Sequence, residues 1–257
     1  MKKILLSAVA ILSFGGMAAA ADLPAKVAAP VVQAPPCAQF GGFYVGGNVG
    51  GVSYTAHRND DDGYFVDNSG HTLTKSGWAA GVQGGYNWQR RCTVFGVEAD
   101  WNWGSAKVTF QDDPNAGFEL NQLESKLRWF GTARTRAGVI VDDLLIYATG
   151  GFAWANVENT YTRACSAFNC GVAINENNAF SSTRWGWTVG AGTEWKFAPN
   201  WSLKSEALYV QLKEQQDTFT VSDPFPPPST ATFRWTNNDN FWVARVGVNY
   251  IFGGGIR

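Results

Sequence analysis

The 257-residue sequence predicts an all-β protein, an eight-stranded antiparallel up-and-down transmembrane β-barrel. Three observations predict it. From Phe40 onward, apolar and aromatic residues alternate with small or polar ones in segments of about ten residues, the length of a tilted membrane-crossing strand. The connections between these segments alternate strictly between tight and long. Finally, no downstream stretch approaches the roughly 18 apolar residues of a membrane-crossing helix. The longest, residues 144–157, is interrupted by Gly150 and Gly151. Composition points the same way: 29 Gly, 12 Trp, 17 Phe and 8 Tyr against only 16% charged residues favour strands and turns over helices. A net charge of −1 offers no basic excess, which argues against nucleic acid as a partner.

The N-terminus reads as an export signal. Lys2 and Lys3 form a positive start, Ile4 to Met17 an apolar run, and Ala18, Ala19 and Ala20 the small residues of a cleavage site. A retained anchor is the alternative, but the run is short and no stop-transfer charges follow. No Cys stands at the cleavage point to carry a lipid. The organisation expected is therefore a signal peptide over 1–20, a Pro/Ala-rich periplasmic linker over 21–39 (Pro24, Pro30, Pro35 and Pro36), and an outer-membrane barrel over 40–257.

The eight strands fall at residues 40–54, 77–89, 93–103, 126–141, 144–157, 183–197, 201–212 and 240–252. Tight turns lie at 89–92, 142–143 and 198–200. Long polar loops are expected at 55–76, 104–125, 158–182 and 213–239. All the long connections thus fall at one end, as in a membrane barrel with short periplasmic turns and longer outer loops. A soluble sandwich has no such asymmetry.

Within the strands, alternation has a sense. The last strand puts Trp242, Ala244, Val246, Val248, Tyr250 and Phe252 on one face and Arg245 and Asn249 on the other. The sixth sets Trp185, Trp187, Val189, Trp195 and Phe197 against Arg184, Glu194 and Lys196, and the third sets Phe95, Val97 and Trp101 against Glu98 and Asp100. The apolar face points outward, the inverse of a soluble barrel. Trp78, Trp88, Trp129, Trp185, Trp195, Trp201, Tyr209, Trp242 and Tyr250 cluster towards strand ends, where amphipathic rings form aromatic girdles at the headgroup level.

The inward set is rich in charge: Glu98, Asp100, Arg128, Arg134, Arg136, Glu194, Lys196, Lys204, Glu206 and Arg245. Eight strands enclose only enough room for their own side chains, so these charges are expected to pair, with Arg134, Arg136 and Arg245 facing Glu98, Asp100 and Glu206. The same residues also read as the lining of a narrow pore; the strand count favours the plugged barrel. Four cysteines in an exported chain suggest disulfides. Cys165 and Cys170 are close in one outer loop, and Cys37 and Cys92 both fall at the periplasmic end.

No catalytic constellation emerges. The two histidines, His57 and His71, lie in the first outer loop, and no strand brings a His to an activated Ser. The run Asn59-Asp60-Asp61-Asp62 reads as a solvated loop face, and two loop histidines are weak evidence for haem or a metal. Neither an enzyme activity nor a cofactor or metal is expected.

The segments Ala21-Asp22-Leu23-Pro24-Ala25-Lys26, Gly42-Phe43-Tyr44-Val45-Gly46-Gly47-Asn48, Gly81-Val82-Gln83-Gly84-Gly85-Tyr86-Asn87-Trp88, Leu145-Ile146-Tyr147-Ala148-Thr149-Gly150-Gly151 and Val246-Gly247-Val248-Asn249-Tyr250 carry a resemblance. In order and spacing they resemble the small outer-membrane proteins of alphaproteobacteria with an OmpA-type β-barrel domain, the porin-family or opacity-protein-like group. That resemblance implies a non-enzymatic, eight-stranded outer-membrane barrel contributing to envelope integrity, with some members binding haem or host surfaces. The partners it implies are outer-membrane lipid, the barrel-insertion machinery and a surface ligand at the outer loops. One departure is the extension Gly253-Gly254-Gly255-Ile256-Arg257 beyond Phe252, where such barrels end on an aromatic residue. The insertion signal is then expected internally, at Tyr250 and Phe252.

Overall fold

The computed structural model describes residues 37–60, 71–111, 119–165, 174–223 and 229–252. These form ten antiparallel strands: β1 (Gly42–Asp60), β2 (His71–Arg90), β3 (Thr93–Gly104), β4 (Lys107–Gln111), β5 (Glu119–Val141), β6 (Leu144–Cys165), β7 (Ile174–Ala198), β8 (Trp201–Leu212), β9 (Gln215–Asp223) and β10 (Ser229–Ile251). The hydrogen-bonded order β1-β2-β3-β5-β6-β7-β8-β10 closes on itself through β1–β10, with Tyr44 opposite Ile251 and Asp60 opposite Trp235. The ring therefore has eight strands and no free edge. β4 and β9 stand off it: each continues its predecessor after a short break and pairs only with β5 or β10.

The strands run well past their expected outer ends. Segments expected as loops, such as 71–76, 119–125, 158–165 and 174–182, are paired strand. Membrane thickness limits only the apolar outward face; it does not limit the ladder. Beyond the bilayer the outward positions turn polar, as where Thr55 meets Thr74 (2.8 Å), while the inward positions stay apolar through Ala56, Ala155 and Val157. Hairpins consequently project from one end. At the other end the turns are tight, and Arg91 and Asp142 adopt positive φ in two of them (52° and 54°).

Outward rings lie in two bands. Trp88, Trp195, Trp201 and Tyr250 share the lower one with Phe43, Phe95 and Phe252, and Trp201 meets Tyr250 edge-on at 5.1 Å. Trp78, Trp129, Trp185, Tyr209 and Trp242 lie in the upper one with Trp103 and Trp187, Trp101 stacking on Trp129 at 4.3 Å. Inward side chains build two buried apolar clusters. One, at the periplasmic end, holds Phe40, Tyr44, Val94, Ile140, Leu145, Tyr147 and Ile251. The other, nearer the outer end, includes Val52, Leu127, Phe130, Leu208, Val210, Leu212, Phe241 and Val243. Charged residues occupy the space between.

Residues 37–41 precede β1 and lie against the periplasmic end. Cys37 is disulfide-bonded to Cys92 of the β2–β3 turn. Ala38 donates its N–H to the Asp142 carbonyl of the β5–β6 turn, and Phe40 is fully buried. The Gln89 side chain accepts the N–H groups of Phe40 (2.6 Å) and Gly41 (3.1 Å) and donates to the Ala38 carbonyl (2.9 Å).

Candidate functional site

The charged layer is the densest grouping of ionisable side chains among the described residues, and strand alternation builds it. Glu98 and Asp100 project inward from β3, Arg134 and Arg136 from β5, Glu194 from β7, Lys204 and Glu206 from β8, and Arg245 from β10. All are at most 5% exposed. Register brings them level: Glu98 lies opposite Arg134, Glu194 opposite Lys204, and Glu206 opposite Arg245.

Arg134 is the hub. It is ion-paired with Glu98, with Asp100 (3.0 Å) and with Glu206 (3.0 Å). Arg245 meets Asp100 at 2.9 Å and Glu206 at 2.6 Å. Lys204 spans Glu98 (2.6 Å) and Glu206 (3.4 Å), while Arg136 reaches Glu194 (3.0 Å) and Glu98 (3.5 Å). Four carboxylates thus face four cations, and the layer is neutral as a whole. Such compensation is what a low-dielectric interior demands, since a buried charge without a partner costs several kcal/mol.

Neutral groups add further hydrogen bonds to the carboxylates. Tyr44 and Tyr147 donate to Glu98 (2.6 Å) and Glu206 (3.0 Å), and the Arg136 guanidinium sits 4.5 Å and 5.3 Å from their ring centres. Thr132 donates to Asp100, and Ser202 and Asn249 donate to Glu194. Glycine makes the two phenols fit. Tyr44 lies across from Gly85 and Tyr147 across from Gly192; a Cβ at either glycine would stand 2.5 Å from the phenol oxygen.

Two of the inward residues expected from the sequence lie elsewhere. Arg128 faces outward, about half exposed, and its Nε meets Glu158 at 2.5 Å. The cause is a register irregularity between Leu127 and Trp129, which leaves Arg128 as an extra residue and resets the alternation. Lys196 has the inward parity but sits at the periplasmic rim, half-buried, donating to the Gln39 carbonyl. The Cys165–Cys170 pairing, the His71 side chain and the side chains of the acidic run at 60–62 fall outside what the structure describes. His57 is placed: its Nδ1 shares a 2.6 Å hydrogen bond with Thr72 Oγ1 on the outward surface.

A second buried cluster was not anticipated. At the outer edge of the upper apolar layer, Arg58 and Arg184 both pair with Asp239. Arg58 also donates to Ser125 (2.9 Å), which donates on to Asn159 (2.7 Å). Arg184 also donates to the Asn237 carbonyl (2.6 Å). The signal was present in part: Arg184 has the inward parity of its strand. Arg58 and Asp239, however, lie beyond strand ends drawn from membrane thickness.

Residues 6–252 match the family model described as outer membrane protein beta-barrel domain. Among curated proteins, the chain is 32% identical over 265 residues to a 31 kDa outer-membrane immunogenic protein of Brucella melitensis biotype 1, covering 98% of this chain and all of the relative. It is 28% identical over 180 residues to a 22 kDa outer membrane protein of Rhizobium leguminosarum bv. viciae, covering 70% and 68% of the two chains. Similar solved structures include the outer membrane protein OprG from Pseudomonas aeruginosa, with a TM-score of 0.48, 10% identity, and coverage of 82% and 97%. The outer membrane protease OmpT from Escherichia coli matches with a TM-score of 0.47 and 9% identity over 82% and 97% of the two chains.

Proposed function

The chain belongs to the outer membrane protein beta-barrel domain family of the Gram-negative outer membrane, and from that premise we propose that it is a closed structural barrel presenting long hairpins at the cell surface. One observation carries this reading. The lumen is filled in layers along the barrel axis: an apolar layer around Phe40, Tyr44 and Ile251, the neutral charged layer around Arg134, and an apolar layer around Leu127, Phe130 and Phe241. A diffusion channel needs a continuous wet path. Inward charges spent on one another, and capped on both sides by apolar packing, supply none. The Brucella relative is named an immunogenic protein, which accords with hairpins held out from the membrane surface. For assembly, the expected partner is the barrel-insertion machinery, with Tyr250 near the end of β10 and Phe252 just beyond it as the groups it recognises.

Single-channel recording of the refolded protein in a planar bilayer tests the reading, with folding checked by heat-dependent gel mobility. Silence is expected from folded protein. Discrete, reproducible current steps would overturn the closed-barrel function and make the Arg134 layer a pore lining.

A further inference from the structure

The irregularity in β5 turns two consecutive residues, Arg128 and Trp129, to the outside, and the face they share carries more cations than it pairs. Lys107 of β4 lies directly opposite Lys126 of β5, and Lys126 lies opposite Glu158 of β6. Glu124 takes Lys107 at 2.6 Å, and Glu158 takes Arg128 at 2.5 Å. Lys126 then has no ion-pair partner among the described residues. Like charges directly opposite on adjacent strands destabilise a sheet. Here they are kept on an open face, with the Lys107 and Arg128 side chains 51% and 52% exposed.

Position identifies what would relieve them. Trp129, stacked on Trp101, belongs to the upper aromatic band, which marks the headgroup level of the outer leaflet. Arg128 is its immediate neighbour, and Lys126 and Lys107 stand one row above it. The patch is on the outward side of the wall, turned to neighbouring lipid at the height where outer-leaflet glycolipids carry phosphate or carboxylate groups on their first sugars. Basic side chains at a membrane surface contribute about 1 kcal/mol each towards anionic lipid.

We propose that Lys107, Lys126 and Arg128 form a docking site for the anionic headgroup of one outer-leaflet glycolipid, with Lys126 as the contact the protein leaves unpaired. The site is independent of whether the barrel conducts.

The test uses the refolded full chain in detergent micelles and bisphosphorylated lipid A as probe, read by native mass spectrometry. Dephosphorylated lipid A and phosphatidylglycerol serve as comparators. The expected result is that lipid A binds at least about tenfold better than either comparator. A Lys126→Gln, Arg128→Gln variant is expected to lose that preference, while Lys75→Gln, an exposed lysine on β2, retains it. Lys126→Gln alone, which also removes the like-charge neighbour of Lys107, should weaken lipid A binding without lowering the unfolding midpoint. This single variant keeps the test sound should the double variant fail to fold. Equal binding of phosphorylated and dephosphorylated lipid A, equal displacement by phosphatidylglycerol, or unchanged binding in the variants would each overturn the proposal.

Discussion

Arg134 and Arg128 are six positions apart on one strand and share the same parity, yet their environments are opposite. Arg134 is buried among Glu98, Asp100 and Glu206, whereas Arg128 is half exposed with one surface partner. Removing one partner of a buried ionic group strands the others, at a cost of about 3–5 kcal/mol. An exposed pair contributes at most about 1 kcal/mol. Arg134→Ala is therefore expected to shift the urea midpoint in micelles strongly, and Arg128→Ala barely; tryptophan fluorescence would report both. Equal shifts would show that the interior layer is not held by its charges. Parity alone assigned both residues inward. The inserted residue that separates them has no signature in the sequence around Leu127-Arg128-Trp129, because a bulge is chosen by the packing of both strands and by the demand to turn Trp129 outward.

At the scale of elements, the lead segment 37–41 stands out because it joins separate turns. The disulfide fixes it to the β2–β3 turn, Ala38 bonds the β5–β6 turn, and Lys196, next to the β7–β8 turn, bonds Gln39. Cross-linking residues 55 apart in sequence restricts the unfolded chain by an amount worth about 4 kcal/mol in the loop-entropy model. Cys37→Ser should lower the unfolding midpoint, and dithiothreitol should bring the wild type down to the variant's value without further effect on the variant. An unchanged midpoint in Cys37→Ser would mean that Phe40 burial and the Gln89 clamp hold the segment unaided. The Cys37–Cys92 pairing was legible because the alternation of short and long connections put both residues at one end. The cluster of Arg58, Arg184 and Asp239 was less so. Strand ends judged from bilayer thickness stopped at Tyr54 and began at Asn240, whereas the ladder carries both strands further. The membrane-spanning register and outward face were readable from periodicity; the extramembrane continuation, held by cross-strand pairing in water, was not.

Across the whole molecule, the proposed closure rests on layers of different chemistry, each of which is expected to block the lumen by itself. Phe130 and Phe241 meet edge-on at 5.1 Å in the upper layer, and the charged layer lies beneath them. Truncating both rings in a Phe130→Ala, Phe241→Ala variant removes packing worth about 3–5 kcal/mol per ring and should lower the unfolding midpoint clearly. It should not make the barrel conduct, because the Glu98–Arg134–Glu206 contacts still span the lumen from β3 through β5 to β8. Adding Arg134→Ala to the two truncations opens the ionic layer as well. The triple variant, in whatever fraction still folds by gel mobility, is still expected to stay silent, because the periplasmic-end layer of Phe40, Tyr44, Leu145 and Ile251 remains in place. Current from the double-truncation variant alone would show that the upper apolar layer is the sole barrier. The ionic layer would then be a hydrated vestibule, with its carboxylates and guanidiniums spaced by water.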